Sequence, residues 1–238
     1  FFFKQKTAYE IYQCDWSSDV CSSDLAIDVH EDKSVTVGAA VDLPVAARRL
    51  VERGYRGFEW AVGVPGTLGG AIAMNAGGHG SDMSASVVSV RLWDIDAGAQ
   101  RDVPAADMRF GYRTSAVTDR HIVLNATLQL REGDPDEGRE ILRDIVRWRR
   151  DNQPGGANAG SVFRNPDTGA AGALIDACGC KGLRLGSAFV SEKHANFIQV
   201  DAGGQADDVR ALMRHVHDVV QNERGVDLRS EIRLVGFS

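Results

Sequence analysis

Five segments of this chain carry residues whose types and spacing could do chemistry. The first is Gly63 to Gly80, GVPGTLGGAIAMNAGGHG, dense in glycine and, His79 aside, without an ionisable side chain. Glycine loses more backbone freedom on folding than any other residue. The usual compensation is close approach of bare backbone to a ligand, with N–H groups open to phosphate oxygens. The segment is therefore a candidate cofactor loop, with a glycine-rich turn between two elements as the alternative. It matches neither G-x-G-x-x-G nor G-x-x-x-x-G-K-S/T, so neither a dinucleotide fingerprint nor a P-loop applies.

The other four segments hold polar residues that local structure does not require. FGYRTS (110–115) carries Tyr112 and Arg113 ahead of a strand. AGSVFRNP (159–166) sets Ser161 on a glycine-hinged turn, followed by Arg164 and Asn165. SEKHANF (191–197) brings Lys193 and His194 into a strand, and Glu231 lies between Ser230 and Arg233's neighbour Ile232. Each has an ordinary explanation taken alone: a surface ion pair for Arg113, a turn hydrogen bond for Ser161, a structural histidine, an exposed strand glutamate.

The elements that must position these residues are legible from hydrophobic period. Ser34 to Val37 reads as a short strand. Leu43, Ala46, Ala47, Leu50 and Val51 make one helical face, with Gly54 as a stop. Ser86 to Asp94 alternates as a strand. In His121 to Leu130, Ile122, Leu124, Ala126, Leu128 and Leu130 alternate most cleanly of all. EGDPDEG (132–138) is a turn-rich hinge, expected as a domain boundary. Ile141, Leu142, Ile145, Val146 and Trp148 then form a helical stripe ending in Arg149 and Arg150, a basic end suited to the helix dipole. Gln153 to Gly160 reads as loop, Ala170 to Cys178 as a short helix, Asn196 to Val200 as a strand and Asp207 to Arg224 as a helix. Ile232 and Leu234 mark an expected last strand. Strands and helices mix on both sides of the hinge, giving an α/β or α+β protein in two parts, 26–132 and 138–238.

The 238 residues carry a net charge of −6, which argues against a nucleic-acid binder. No apolar run is long enough to span a bilayer. Phe1 to Leu25 has no periodicity and no secretory layout. It resembles translated sequencing adapter, for which Lys4 to Ile11 and Asp15 to Leu25 match codon by codon. The expectation is that these residues have no function and that the natural sequence continues upstream of Ala26. Cys14 and Cys21 fall in that stretch. Cys178 and Cys180 suit neither a disulfide framework nor a zinc site, and no metal is expected. Composition and cysteine usage fit a cytoplasmic setting.

In their order along the chain, the five segments resemble the UDP-N-acetylenolpyruvoylglucosamine reductase family, flavoenzymes of peptidoglycan synthesis. GVPGTLGGAIAMNAG resembles that family's flavin loop, FGYRTS its arginine motif, GSVFRNP its serine motif, KGLRLGSAFVSEKHANFI its shorter subtype and SEIRLVG its terminal glutamate motif. The resemblance implies an α+β protein: part of an FAD-binding domain like that of vanillyl-alcohol oxidase, then an α/β substrate domain. It implies non-covalent FAD, NADPH as co-substrate and a nucleotide-sugar substrate. Arg113, Ser161 and Glu231 match the catalytic positions, respectively holding a carboxylate, protonating C2 and polarising the carboxylate. Pro65, Gly66, Thr67, Gly69, Gly70, Asn75 and Gly77 are the implied flavin contacts. Tyr112, Arg164, Asn165 and Lys193 are the implied substrate contacts. The family's second glycine-rich turn, of the kind G-G-G-S-N, has no counterpart before Ala26. Another flavoenzyme of the same fold, or a flavin-free binding protein derived from one, are the competing expectations.

Overall fold

The structure, a computed structural model, describes residues 24–236. Most of the adapter-like stretch, with Cys14 and Cys21, lies outside the described residues. Contacts divide the chain into two compact units, which part between Arg149 and Arg150.

The first unit is built on a five-stranded antiparallel sheet. Its strands are β1 (Ile27–Val29), β2 (Ser34–Gly38), β6 (Val87–Asp94), β7 (Ala99–Pro104) and β8 (His121–Gln129), in the order β1-β2-β8-β6-β7. The register sets Val35 against Leu128 and both Val37 and Val90 against Ala126. These side chains are fully buried. The expected alternation along β8 holds at Ala126 and Leu128 but changes face beyond. Arg91 pairs with Asn125 while the next residue, Leu92, pairs with Val123. Leu124 is thus the extra residue of a bulge, and Val123 rather than Leu124 is buried.

Helix α1 (Leu43–Glu52) buries Leu43, Ala46, Ala47, Leu50 and Val51, the face read from the sequence, and Gly54 follows it at φ +80. Leu43 and Leu50 alone contribute about 1.5–3 kcal/mol each by burial. The two-residue strands β3 (Tyr55–Arg56) and β9 (Arg131–Glu132) pair beside it. Buried Arg56 donates to Glu59 and to Glu137, fastening this corner to helix α3 (Pro135–Asn152). Of the apolar stripe expected on α3, only Leu142 and Ile145 are buried; Ile141, Val146 and Trp148 are exposed. Much of the remaining surface of α3 is charged, with pairs such as Asp136–Arg139 and Asp144–Arg147 one turn apart.

The second unit holds a four-stranded antiparallel sheet, β10-β13-β12-β11, from β10 (Asn158–Ser161), β11 (Arg184–Leu185), β12 (Ala188–Val190) and β13 (Phe197–Val200). Helices α4 (Ala171–Ala177) and α5 (Ala206–Arg224) supply Ile175, Leu212, Val216 and Val220 to its core. Asp207 and Asp208 open α5, and Gly225 closes it at φ +68. Asn158 to Gly160, expected as loop, belong to strand β10, because the pairing with β13 is made by the neighbour rather than by their own apolar pattern. The last strand is absent among the described residues: only Ser230 bridges to Phe163, and Leu234 is 42% exposed. Cys178 and Cys180 are free thiols, and burial pushes the Cys180 thiol up.

Candidate functional site

The glycine-rich segment is two structures in succession. A 3-10 turn, Glu59–Gly63, leads into extended Val64 and then helix α2 (Leu68–Met74), with Thr67 as its N-cap. Gly66 stands at φ +122, a conformation open to glycine, with nothing near the place a Cβ would take. After the helix, β4 (Gly77–Gly78) and β5 (Ser81–Asp82) form a hairpin closed by His79 and Gly80, both at positive φ as a type I′ turn requires.

The N–H groups expected to cradle phosphate are already engaged. Leu68 donates to Val41 O at 2.9 Å, Gly69 to Ala39 O at 2.9 Å, Gly70 to Thr67 Oγ1 at 3.4 Å and Ala71 to Thr67 O at 2.9 Å. Gly69 is needed for packing: a Cβ there would lie 3.1 Å from Ala39 Cβ. A Cβ on Gly77 would come within 2.6 Å of Ser81 O and Asp82 Cβ, across the hairpin. Asn75 is buried, and its carboxamide bonds to Gly111 O, Asp82 and the Ser84 N–H. Of the implied flavin contacts, Pro65 is exposed, and Gly66, Thr67 and Gly77 are half-buried.

FAD fits this loop on two counts. Bare backbone at Gly66 is open to close approach. Trp60, on the turn just before the loop, has a buried indole N–H with no acceptor among the described residues, and buried donors are normally paired.

The arginine motif lies against α2. Gly111 and Thr114 form a two-way bridge around Tyr112 and Arg113. Arg113 takes φ +55, and its guanidinium sits 5.3 Å from the ring centroid of Tyr112, which is 57% exposed. Sequence reasoning missed one more cation of this unit. Arg149 is half-buried, and that burial lowers its pKa. It packs with His79 about the spot a Gly63 Cβ would fill, while Trp148 meets the His79 ring edge-on. Burial, with Arg149 nearby, lowers the His79 pKa. The signal was the basic end of the α3 stripe, read there only as dipole complement.

In the second unit the serine motif is held on both sides. Gly160 at φ +81 turns the chain, and its N–H donates to the Asn158 side chain. Ser161 pairs with Phe197. Buried Asn196 accepts from the Phe163 N–H at 2.9 Å and donates to Phe163 O at 2.8 Å. On the other side the Glu231 N–H donates to Val162 O at 2.8 Å and the Arg164 N–H to Arg229 O at 2.9 Å. Ser161 and Glu231, far apart in sequence, are thereby placed on adjacent stretches of backbone.

Ser161, Asn165 and Lys193 line one open cleft of about 330 Å³, together with Asp176, Lys181 and His194. Asn165 accepts from the Ala171 N–H at 3.0 Å and so caps α4. Lys193 Nζ donates to Arg150 O. Burial lowers the His194 pKa, and Lys181 adds to the effect. As a neutral ring it accepts from the Asn196 N–H through Nδ1, leaving Nε2 as a donor. Lys181 pairs with Asp176 at 2.6 Å. Arg164 is exposed and outside the cleft lining.

Residues 22–103 match the family described as FAD binding domain, and residues 152–235 match UDP-N-acetylenolpyruvoylglucosamine reductase, C-terminal domain. A protein of that reductase name from Trichormus variabilis is 39% identical over 210 residues, which are 87% of this chain and 63% of the relative. One from Anoxybacillus flavithermus is 40% identical over 208 residues, 86% of this chain and 68% of the relative. The crystal structure of UDP-N-acetylenolpyruvylglucosamine reductase from Thermus caldophilus superposes with a TM-score of 0.73 at 35% identity, covering 83% of this chain and 71% of that one. The chain spans about two thirds of the length of the curated relatives it matches. On this identity and coverage, the chain belongs to the UDP-N-acetylenolpyruvoylglucosamine reductase family.

Proposed function

We propose that the protein reduces the enolpyruvyl ether of UDP-N-acetylglucosamine to UDP-N-acetylmuramate, with NADPH as reductant and FAD as cofactor, in cytoplasmic peptidoglycan synthesis. The observation that supports it most is the joining of the serine and glutamate motifs, through the bond from the Glu231 N–H to Val162 O. FAD, when bound, supplies hydride transfer from NADPH to C3 of the enolpyruvyl group. Pro65, Gly66 and Thr67 would hold it, while Gly69 and Gly77 act by letting backbone pack closely.

Arg113 grips the substrate carboxylate with its planar fork and stabilises negative charge developing next to it. Ser161 Oγ gives its proton to C2, and its alkoxide recovers one from water. A hydroxyl is a weak acid, so this role demands fixed placement, which Gly160 and Asn196 support by holding the strand. Glu231 polarises the carboxylate from the neighbouring stretch. Tyr112, Arg164, Asn165 and Lys193 contact the nucleotide sugar, with the cleft donors Lys181 and His194 beside Lys193. No helix among the described residues is long and apolar enough to cross a membrane.

The test is product analysis with the full-length protein. NADPH oxidation should depend on the enolpyruvyl nucleotide and yield a product two hydrogens heavier. Oxidation of alcohols or phenols without consumption of that nucleotide would overturn the reading.

A further inference from the structure

Asn75 ends α2 in the left-handed region, at φ 40 and ψ 55, and is 5% exposed. Asparagine tolerates this conformation better than most residues, but its side chain does more than that. Both amide hydrogens are engaged: Nδ2 donates to Gly111 O at 3.1 Å and to Asp82 Oδ2 at 3.2 Å. Oδ1 accepts from the Ser84 N–H at 3.0 Å. These bonds point to the protein, and no donor remains for a ligand.

The Gly111–Thr114 turn needs such a hold. Arg113 is at φ +55, a left-handed conformation unfavourable for a side chain of this kind. The bond from the Thr114 N–H to Gly111 O is long, 3.3 Å, and Asn75 holds the same oxygen more closely. A Cβ on Gly111 would lie 2.9 Å from Thr114 Oγ1, so the turn is already tight. Just beyond it, Ser115 Oγ donates to Ala73 O at 2.9 Å. The turn carrying Arg113 is thus tied at both ends to the last turn of α2.

We propose that Asn75 is a positioning residue for Arg113: through Gly111 O it fixes the turn that presents the guanidinium, and so sets the enzyme's grip on the substrate carboxylate. The proposal rests on the carboxylate role given to Arg113 above. It makes the asparagine of the glycine-rich segment a link between the flavin loop and the substrate-binding cation.

A double-mutant cycle in the full-length, flavin-loaded enzyme tests it, reading kcat/KM for the enolpyruvyl nucleotide for Asn75→Gly, Arg113→Lys and the pair. Glycine keeps the left-handed backbone and removes the carboxamide. The single change should lower kcat/KM about 10- to 100-fold, chiefly through the half-reaction with the nucleotide rather than with NADPH. The pair should fall no more than about threefold below Arg113→Lys alone. Full multiplicativity would overturn the link while leaving the carboxylate role standing. An Arg113→Lys enzyme with unchanged kcat/KM would overturn that role and the proposal with it. Should Asn75→Gly not fold, the exchange Asn75→Asp with Asp82→Asn decides. It keeps a bond between positions 75 and 82 and the acceptor for Ser84, but removes the donor to Gly111 O. Flavin reduction by NADPH should stay near wild type while kcat/KM for the nucleotide stays low; recovery of kcat/KM would overturn the proposal.

Discussion

Ser161 has two neighbours that make it more than a turn hydroxyl. Gly160 bends the chain ahead of it, and Asn196 grips the strand two residues beyond. If Oγ is the proton donor to C2, Ser161→Ala should leave flavin reduction by NADPH within about twofold of wild type. Product formation should slow about 10²- to 10⁴-fold, the range for losing a positioned acid. Rapid mixing of each half-reaction checks this, and equal slowing of both would remove the role. The residue types were legible in the sequence because their local structure did not call for them. What each glycine and asparagine does was not legible. Gly69 and Gly77 are fixed by contacts with Ala39 and with Ser81 and Asp82, which no local pattern announces. Asn75 reads as a ligand contact until its partners are seen.

At the scale of elements, helices with a strong 3.6 period were readable. The buried set of α1 is the one the spacing marks. Elements that depend on a neighbour were not. β10 forms because β13 pairs with it, and the bulge at Leu124 follows from the pairing of β6 with β8. The terminal segment, expected as a strand, is instead anchored by single bonds and by side chains. One anchor is His217 on α5, which bonds Asp227 and Asp218, each at 2.9 Å. Donating to the Asp227 carboxylate, and to that of Asp218, raises the His217 pKa. A raised folded-state pKa means this bonding stabilises fully below the unfolded value near 6.5 and is lost as pH rises through the folded value. His217→Gln should therefore narrow the stability gap between pH 6 and pH 8 in urea melts. An unchanged pH slope would show that the pair contributes nothing, the common result for exposed ion pairs.

For the whole molecule, the proposed chemistry is divided between two units, and each part has its own physical logic. The first offers a loop with open backbone at Gly66, an indole donor at Trp60 that is unpaired among the described residues and a strained turn carrying Arg113. The second offers a cleft with a hydroxyl, two lysines and a neutral imidazole, and the glutamate motif bonded beside it. We expect these parts to serve one reduction. Its most direct measurement is anaerobic: bleach the flavin of the full-length protein with one equivalent of NADPH, then add the enolpyruvyl nucleotide. Flavin absorbance near 450 nm should return at the rate at which UDP-N-acetylmuramate forms, one product per flavin. Absorbance that stays bleached until oxygen is admitted would contradict the account.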